Sequence, residues 1–211
     1  MIISHRFRFI YIKTRKTGGT AIEIALSEFL GPDDVITSSP LEGIEARNCP
    51  PELRNRFGYY NGHEGQDYIR AAFPREWKDY YKFTSERHPV DKAVSGYRWA
   101  LVSSERYREE LGLELKKAKP KSLLHFLNSG RAPCDWSKYT EKNKVVVDSI
   151  IEHECINKDY DRVCREIGLP NNGLPIGVKK TQGPALDLGK EELEFIRDRF
   201  KDEIEYFKYE L

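Results

Sequence analysis

The chain has 211 residues, with 35 Lys+Arg against 34 Asp+Glu and a net charge of +1. That length suits one domain with a core large enough to fold without disulfides, and the even charge excludes a broadly basic nucleic-acid-binding face. Cys49, Cys134, Cys155 and Cys164 form no Cys-x-x-Cys pair, which makes zinc and thioredoxin-like readings weak.

No apolar stretch reaches ~18 residues, so no membrane span is expected. The opening MIISHRFRFIYI carries too short an apolar run for a signal peptide. A cytoplasmic protein is expected.

Phe7–Thr14 alternates apolar and polar residues and reads as the first strand. Arg15-Lys16-Thr17-Gly18-Gly19-Thr20 follows as a tight loop. An amphipathic helix then carries Ile22, Leu26 and Phe29 at helical spacing and stops at Gly31-Pro32. This order puts backbone N–H groups and a helix N-terminus where an anion can sit. Gly18 and Gly19 let the backbone approach closely, Lys16 adds charge, and Thr17 and Thr20 add hydroxyls. A nucleoside-triphosphatase loop would place its lysine after the second glycine. Here Lys16 precedes both glycines, so that pattern is absent; an ordinary strand-to-helix turn is the plain alternative.

Asp33–Arg56, rich in Pro, Asn, Ser and charge, reads as loop or irregular structure. Phe57–Asn61 is a short strand candidate, followed by the turn Gly62-His63-Glu64-Gly65. Tyr68–Phe73 suggests one or two helical turns ending at Pro74. Tyr80–Ser85 is the second good strand. Pro89 opens a helix to about Tyr107, since proline is favoured at the first helical position.

Glu109–Lys121 reads as a solvated helix end or linker, Leu123–Leu127 as a short helix, and Arg131–Lys142 as a surface loop. Lys144–Ile151 reads as a buried strand and Asn157–Ile167 as a helix ending at Gly168. Asn171–Gly189 is a Gly/Pro-rich loop. From Lys190 an amphipathic helix carries Leu193, Ile196, Phe200, Ile204 and Phe207 as a core stripe. Strands alternating with helices predict an α/β fold with a mainly parallel sheet, whose ligands bind beyond the carboxyl ends of the strands. The loops at Lys16, His63 and Arg87 are each expected to follow a strand and to meet in one crevice.

Arg87 stands between the second strand and the Pro89 helix, with Ser95 eight residues on. A guanidinium fork plus a hydroxyl suits a phosphate monoester. An Arg87–Asp91 ion pair at the helix start is the structural alternative.

Together, Lys16-Thr17-Gly18-Gly19-Thr20 and Arg87-His88-Pro89 with Ser95 resemble the sulfotransferases that use 3′-phosphoadenosine 5′-phosphosulfate (PAPS), closest to the carbohydrate-type branch. The resemblance implies a P-loop-type three-layer α/β/α domain covering 1–211. It gives the first motif, with Arg15 beside it, to the 5′-phosphosulfate, and gives Arg87 and Ser95 to the 3′-phosphate. Tyr60-Asn61-Gly62-His63 looks like the family's Gly-His turn, which implies that His63 is the catalytic base, with Glu64 in reserve. Lys179-Lys180-Thr181 is similar to an Asn-Lys-Ser loop, so Lys180 and Thr181 are expected to close over the nucleotide. Three positions depart from the pattern: Arg15 stands where proline is frequent, Glu86 where an apolar residue is usual, and Lys179 where asparagine is. The Glu86 side chain is expected to point away from the site.

The implied reaction is sulfuryl transfer to an acceptor hydroxyl, with Lys16 at the bridging oxygen and Lys13 as helper or mere surface residue. A nucleotide kinase or phosphotransferase and a non-catalytic nucleotide-binding protein are the alternatives. The acceptor, a small molecule or glycan, is expected to meet Asp33–Arg56 and Glu105–Lys142.

Overall fold

The computed structural model describes residues 1–37, 63–111, 119–175 and 186–211, and the backbone alone for 104–111. Chain contacts divide it into two compact units: Met1–Glu86 with Asp135–Val178, and Arg87–Cys134 with Lys179–Leu211.

The first unit is built on a five-stranded mixed sheet. Its strands are β1 (Ile2–Ser4), β2 (Phe9–Ile12), β3 (Val35–Ile36), β4 (Tyr81–Glu86) and β7 (Ser149–Glu152), in the order β3-β1-β2-β4-β7. β2 pairs β4 and β4 pairs β7 in parallel, whereas β1 runs antiparallel to both β2 and β3. The centre is therefore parallel, as the α/β reading requires. β2 is Phe-Ile-Tyr-Ile and fully buried on both faces, the composition of an interior parallel strand.

On one face Phe9, Tyr11, Phe83 and Ile151 form a layer. Ile22 and Leu26 of helix α1 (Gly19–Ser27) cover it, together with Tyr160 and Val163 of the later helix Ile156–Glu166. Each such side chain contributes about 1.5–3 kcal/mol when fully buried.

The structure differs from the sequence expectation at several places. β3 falls inside the stretch expected to be irregular, where Val35 pairs Ile3. Helix α2 (Gln66–Ala72) is followed at once by α3 (Pro74–Asp79), so Pro74 ends one helix and starts the next. The single strand expected over Lys144–Ile151 is two strands. Thr140–Glu141 (β5) and Lys144–Val145 (β6) form a hairpin, and β7 begins only at Ser149. Asp148 makes the break: its carboxylate accepts the Lys82 N–H at 2.7 Å and its own N–H reaches the Lys82 carbonyl at 2.8 Å. The Phe57–Asn61 strand candidate lies outside the described residues.

The second unit is helical among the described residues. It comprises α4 (Pro89–Leu111), α5 (Leu123–Asn128), α7 (Lys190–Arg199) and α8 (Lys201–Phe207), with α6 being Ile156–Glu166 of the first unit. Its core joins Ala93, Ala100, Phe126, Leu127, Ile196 and Phe200. Ile196 and Phe200, from the expected stripe, are completely buried. The Lys190 helix is interrupted at Phe200, which leaves helical geometry (φ −112°, ψ 23°). Gly96 lets α4 pack tightly, since a Cβ there would lie 3.0 Å from Pro133 and 3.2 Å from Phe126. No described helix is long and apolar enough to cross a membrane.

Candidate functional site

The parallel register aligns the carboxyl ends of three strands. Ile12 sits opposite Thr84, and Glu86 opposite Glu152. Within the first unit these ends carry the Lys13–Gly18 loop after β2, Ser85-Glu86 as the last residues of β4, and the short turn His153–Cys155 after β7.

The loop is shaped by two left-handed residues, Lys16 (φ 67°) and Gly18 (φ 85°). For lysine that conformation is uncommon, and it marks a backbone held by its surroundings. Gly18 caps α1, its carbonyl accepting the N–H of Ala21 at 3.0 Å. The glycines are dictated by packing as well. A Cβ on Gly18 would lie 2.6 Å from Ile156 and 3.0 Å from His153 Nδ1; one on Gly19 would lie 3.0 Å from both Lys13 Cγ and the Tyr11 hydroxyl.

Beneath the loop runs a buried hydroxyl cluster. Thr17 Oγ1 meets Ser85 Oγ at 2.8 Å and Thr14 Oγ1 at 2.9 Å, Thr14 donates to the Ser85 carbonyl, and Tyr11 reaches Ser85 Oγ at 3.2 Å. Thr17 is completely buried. Its hydroxyl therefore fastens the loop to β4 rather than facing a ligand. Thr20 is also buried, in the first turn of α1.

Lys13 is neither a surface residue nor a helper at the loop's outer side. It is 2% exposed and pairs with Glu23 of α1 at 2.6 Å. Arg15 is likewise committed. Its backbone N–H and its guanidinium both grip the fully buried Asp135, the latter through Nε at 2.9 Å and Nη2 at 2.6 Å. Lys16 is half-buried.

His63 comes to this loop directly. Its Nδ1 lies 3.1 Å from the Lys13 carbonyl oxygen. A carbonyl can only accept, so Nδ1 carries the hydrogen and the lone pair of the neutral ring sits on Nε2. The His63 carbonyl in turn accepts from Lys138 Nζ. Burial pushes the Lys138 ammonium below its ordinary range; neighbouring Arg15 acts in the same direction, while Asp135, Glu64 and Asp67 oppose it. A polar cleft of about 500 Å³ opens here, lined among others by His63, Glu64, Gln66, Asp67, Lys138 and Glu141.

Sequence reasoning missed Asp135, Lys138 and Gln66. The 131–142 stretch was expected to be a surface loop, yet Asp135 and Tyr139 are fully buried and Trp136 is 7% exposed. Tyr139 donates to Glu86 at 2.7 Å, and Glu86 is itself fully buried. No metal-holding cluster of His, Cys, Asp and Glu occurs among the described residues, and His153 packs on Gly18. Next to it, burial together with Asp159 and Glu154 raises the Glu152 carboxyl.

In the second unit Arg87 precedes α4 and pairs with Asp91 at 3.8 Å, the helix-start interaction weighed as its alternative. Ser95 lies in α4, half-buried. His88 Nε2–H donates to the Glu210 backbone carbonyl oxygen at 2.8 Å. His125 is exposed and accepts the Lys121 N–H through Nδ1. Lys180 and Thr181 lie outside the described residues.

Comparison with protein-family models, with curated proteins and with solved structures finds no match to this chain.

Proposed function

We propose that the chain is a PAPS-dependent O-sulfotransferase with a P-loop-type α/β/α fold, acting on a hydroxyl of a carbohydrate-like acceptor. One observation carries the reading. The His63 ring, fixed through Nδ1–H to the Lys13 carbonyl, adjoins the glycine loop at the carboxyl end of β2. A base and an anion-binding turn are thereby joined in one unit, as transfer from a phosphosulfate to a hydroxyl requires.

The residues present fit such a donor. Lys16 and Gly18 set the loop in left-handed geometry at the start of α1, and the first N–H groups of a helix have no carbonyl partner within it. Lys16 supplies the cation. Thr17 and Arg15 act by holding the loop, the first onto Ser85 and the second onto Asp135. The resemblance assigns Arg87 and Ser95 to the 3′-phosphate, and Lys180 and Thr181 to closure; both assignments belong to the proposal.

In the reaction, His63 Nε2 takes the acceptor proton as the oxygen attacks sulfur. The sulfur–oxygen bond to the 5′-phosphate breaks, and its electron pair remains on the phosphate. Lys16 faces the charge that grows there, so its contact strengthens in the transition state. Loss of one such donor costs about 3–4 kcal/mol in activation energy.

A thermal-shift titration with 3′-phosphoadenosine 5′-phosphate, ADP and ATP–magnesium tests the reading. The 3′,5′-bisphosphate is expected to stabilise most. A preference for ATP–magnesium would point to a kinase instead and reject the sulfotransferase. Stabilisation without sulfate transfer across an acceptor panel would leave a binding protein.

A further inference from the structure

Asp135-Trp136-Ser137-Lys138-Tyr139 is a polar stretch that carries two large rings, and the rings fold it. Trp136 is buried and Tyr139 completely so, with centroids 5.3 Å apart in an edge-on contact. Trp136 Nε1–H donates to Asn143 Oδ1 at 2.8 Å, and the Tyr139 hydroxyl donates to Glu86 at 2.7 Å. Between them the backbone makes one 3-10 turn, Trp136–Lys138, closed by the Lys138 N–H on the Asp135 carbonyl at 2.9 Å. Two buried rings, each fastened at its polar tip, leave that turn little freedom.

Two charged side chains leave the turn for two parts of the site. Asp135 takes the Arg15 backbone N–H and guanidinium, and with them the glycine loop. Lys138 Nζ donates to the His63 carbonyl. The chain after His63 also rests on the turn directly. A Cβ on Gly65 would lie 3.2 Å from Lys138 Cα and 3.6 Å from Lys138 Cβ. Gly65 has extended backbone (φ −94°, ψ 174°) that any residue adopts, so close packing, not conformation, calls for glycine there. The His63 ring is itself tied to the Lys13 carbonyl through Nδ1–H. One hydrogen bond to a ring lets it pivot; a second, to the main chain of the same residue, stops the pivot.

We propose that Lys138 is a positioning residue for His63, and that the Asp135–Lys138 turn holds the base and the glycine loop at one separation. The hold on the ring is independent of the reaction; its effect on sulfuryl transfer rests on the sulfotransferase reading.

The test uses the full chain with Lys138→Met, which keeps the stem and removes the donor. Imidazole proton–nitrogen correlation spectra report which ring nitrogen carries the hydrogen, the His63 signals being identified by their loss in His63→Gln. The native chain should show the Nδ1–H form alone, and Lys138→Met both tautomers. The kcat for sulfate transfer should fall about 10²-fold in Lys138→Met, the usual effect of a displacement near 1 Å. The acceptor KM and the thermal shift given by 3′-phosphoadenosine 5′-phosphate should not change. Gly65→Ala, whose Cβ pushes the same segment off Lys138, should also mix the tautomers; it carries the test alone if Lys138→Met does not fold. A merely structural tie would lower the melting temperature and leave the tautomer and kcat of the folded protein as they are.

An unmixed Nδ1–H form in the folded variants, or a loss that falls on KM or on the nucleotide shift instead of kcat, would overturn the proposal. Mixed tautomers in a protein that transfers no sulfate across an acceptor panel would sink the sulfotransferase reading and spare the hold on His63. Native kcat in Lys138→Met, in a protein that does transfer sulfate, would do the reverse.

Discussion

Lys13 Nζ and Glu23 Oε2 lie 2.6 Å apart, with the side chains 2% and 1% exposed. The pair joins the end of β2 to the second turn of α1 underneath the glycine loop, so it spans the segment that must keep its shape. Removing one partner of a buried pair strands the other charge, which typically costs about 3–5 kcal/mol. Glu23→Gln and Lys13→Met should each destabilise by about that amount in urea denaturation. The double variant Lys13→Met/Glu23→Leu should recover much of the loss. Additive losses in the double variant would show that the two groups do not act as a pair.

Gly18→Ala should be more damaging than Gly19→Ala. At Gly18 the new Cβ meets Ile156 at 2.6 Å and the backbone is left-handed (φ 85°). The conformation alone costs roughly 1–2 kcal/mol for an L-residue, before any clash. At Gly19 the obstacles are Lys13 Cγ and the Tyr11 hydroxyl at 3.0 Å. Denaturation midpoints for the two variants decide the order. Equal midpoints would mean that the loop relaxes freely around either methyl group.

The central strands and the glycine loop could be read from the sequence because their signals are local. Phe9–Ile12 and Tyr81–Glu86 are aromatic and β-branched runs, and Thr17-Gly18-Gly19-Thr20 announces a turn into a helix. β3 could not be read, because two residues carry no periodicity; Val35 and Ile36 are strand only through pairing with Ile3 and Ile2. Asp135 and Gln66 escaped for a different reason. A polar residue in a polar stretch looks solvated, and only tertiary packing reveals that Arg15 neutralises the first and that the second is buried in a cleft wall. The Lys13 reading failed in the same way, since Glu23, ten residues away, draws it inward.

Asp135 anchors Arg15 through three donors, the backbone N–H at 2.6 Å, Nε at 2.9 Å and Nη2 at 2.6 Å. Asp135→Ala should therefore loosen the loop and release Lys138, whose ammonium Asp135 supports. Hydrogen bonds to charged groups are worth about 1.5–3 kcal/mol each in mutational series, so a stability loss at or above that range is expected. Arg15→Lys should rescue poorly, because an ammonium cannot reproduce the bidentate fork. Thermal unfolding of the three proteins measures it, and a fully stable Arg15→Lys would show that only the charge matters.

The thiols should differ sharply in reactivity. Burial, aided by Glu203, pushes Cys134 up to about 11, and its Sγ contacts Glu203 Oε1 at 3.5 Å. Because the thiolate is the nucleophile, Cys134 stays in its unreactive thiol form at pH 8. Cys155 is exposed. Iodoacetamide followed by peptide mass spectrometry should label Cys155 before Cys134 and the buried Cys164. Labelling of Cys134 should emerge only towards pH 11, or on Glu203→Gln substitution, which removes the neighbouring negative charge and moves the thiol back down. Early labelling of Cys134 at pH 8 would contradict the burial seen here.

His63 makes the last case, because its two nitrogens predict different things. Nδ1–H is held by the Lys13 carbonyl at 3.1 Å, so protonation in acid falls on Nε2, the nitrogen the proposed transfer needs unprotonated. Sulfate transfer should therefore fall as pH is lowered, with an acid limb belonging to one group. His63→Ala should cost about 10²–10⁴ in kcat, the usual contribution of a positioned base, and should abolish the acid limb of what activity remains. Nucleotide binding should stay intact, since the proposed reaction gives the imidazole a contact with the acceptor and none with the donor. Glu64→Gln should leave the limb in place. If the limb instead survives in His63→Ala and disappears in Glu64→Gln, the carboxylate is the base and the His63 ring only braces the Lys13 carbonyl.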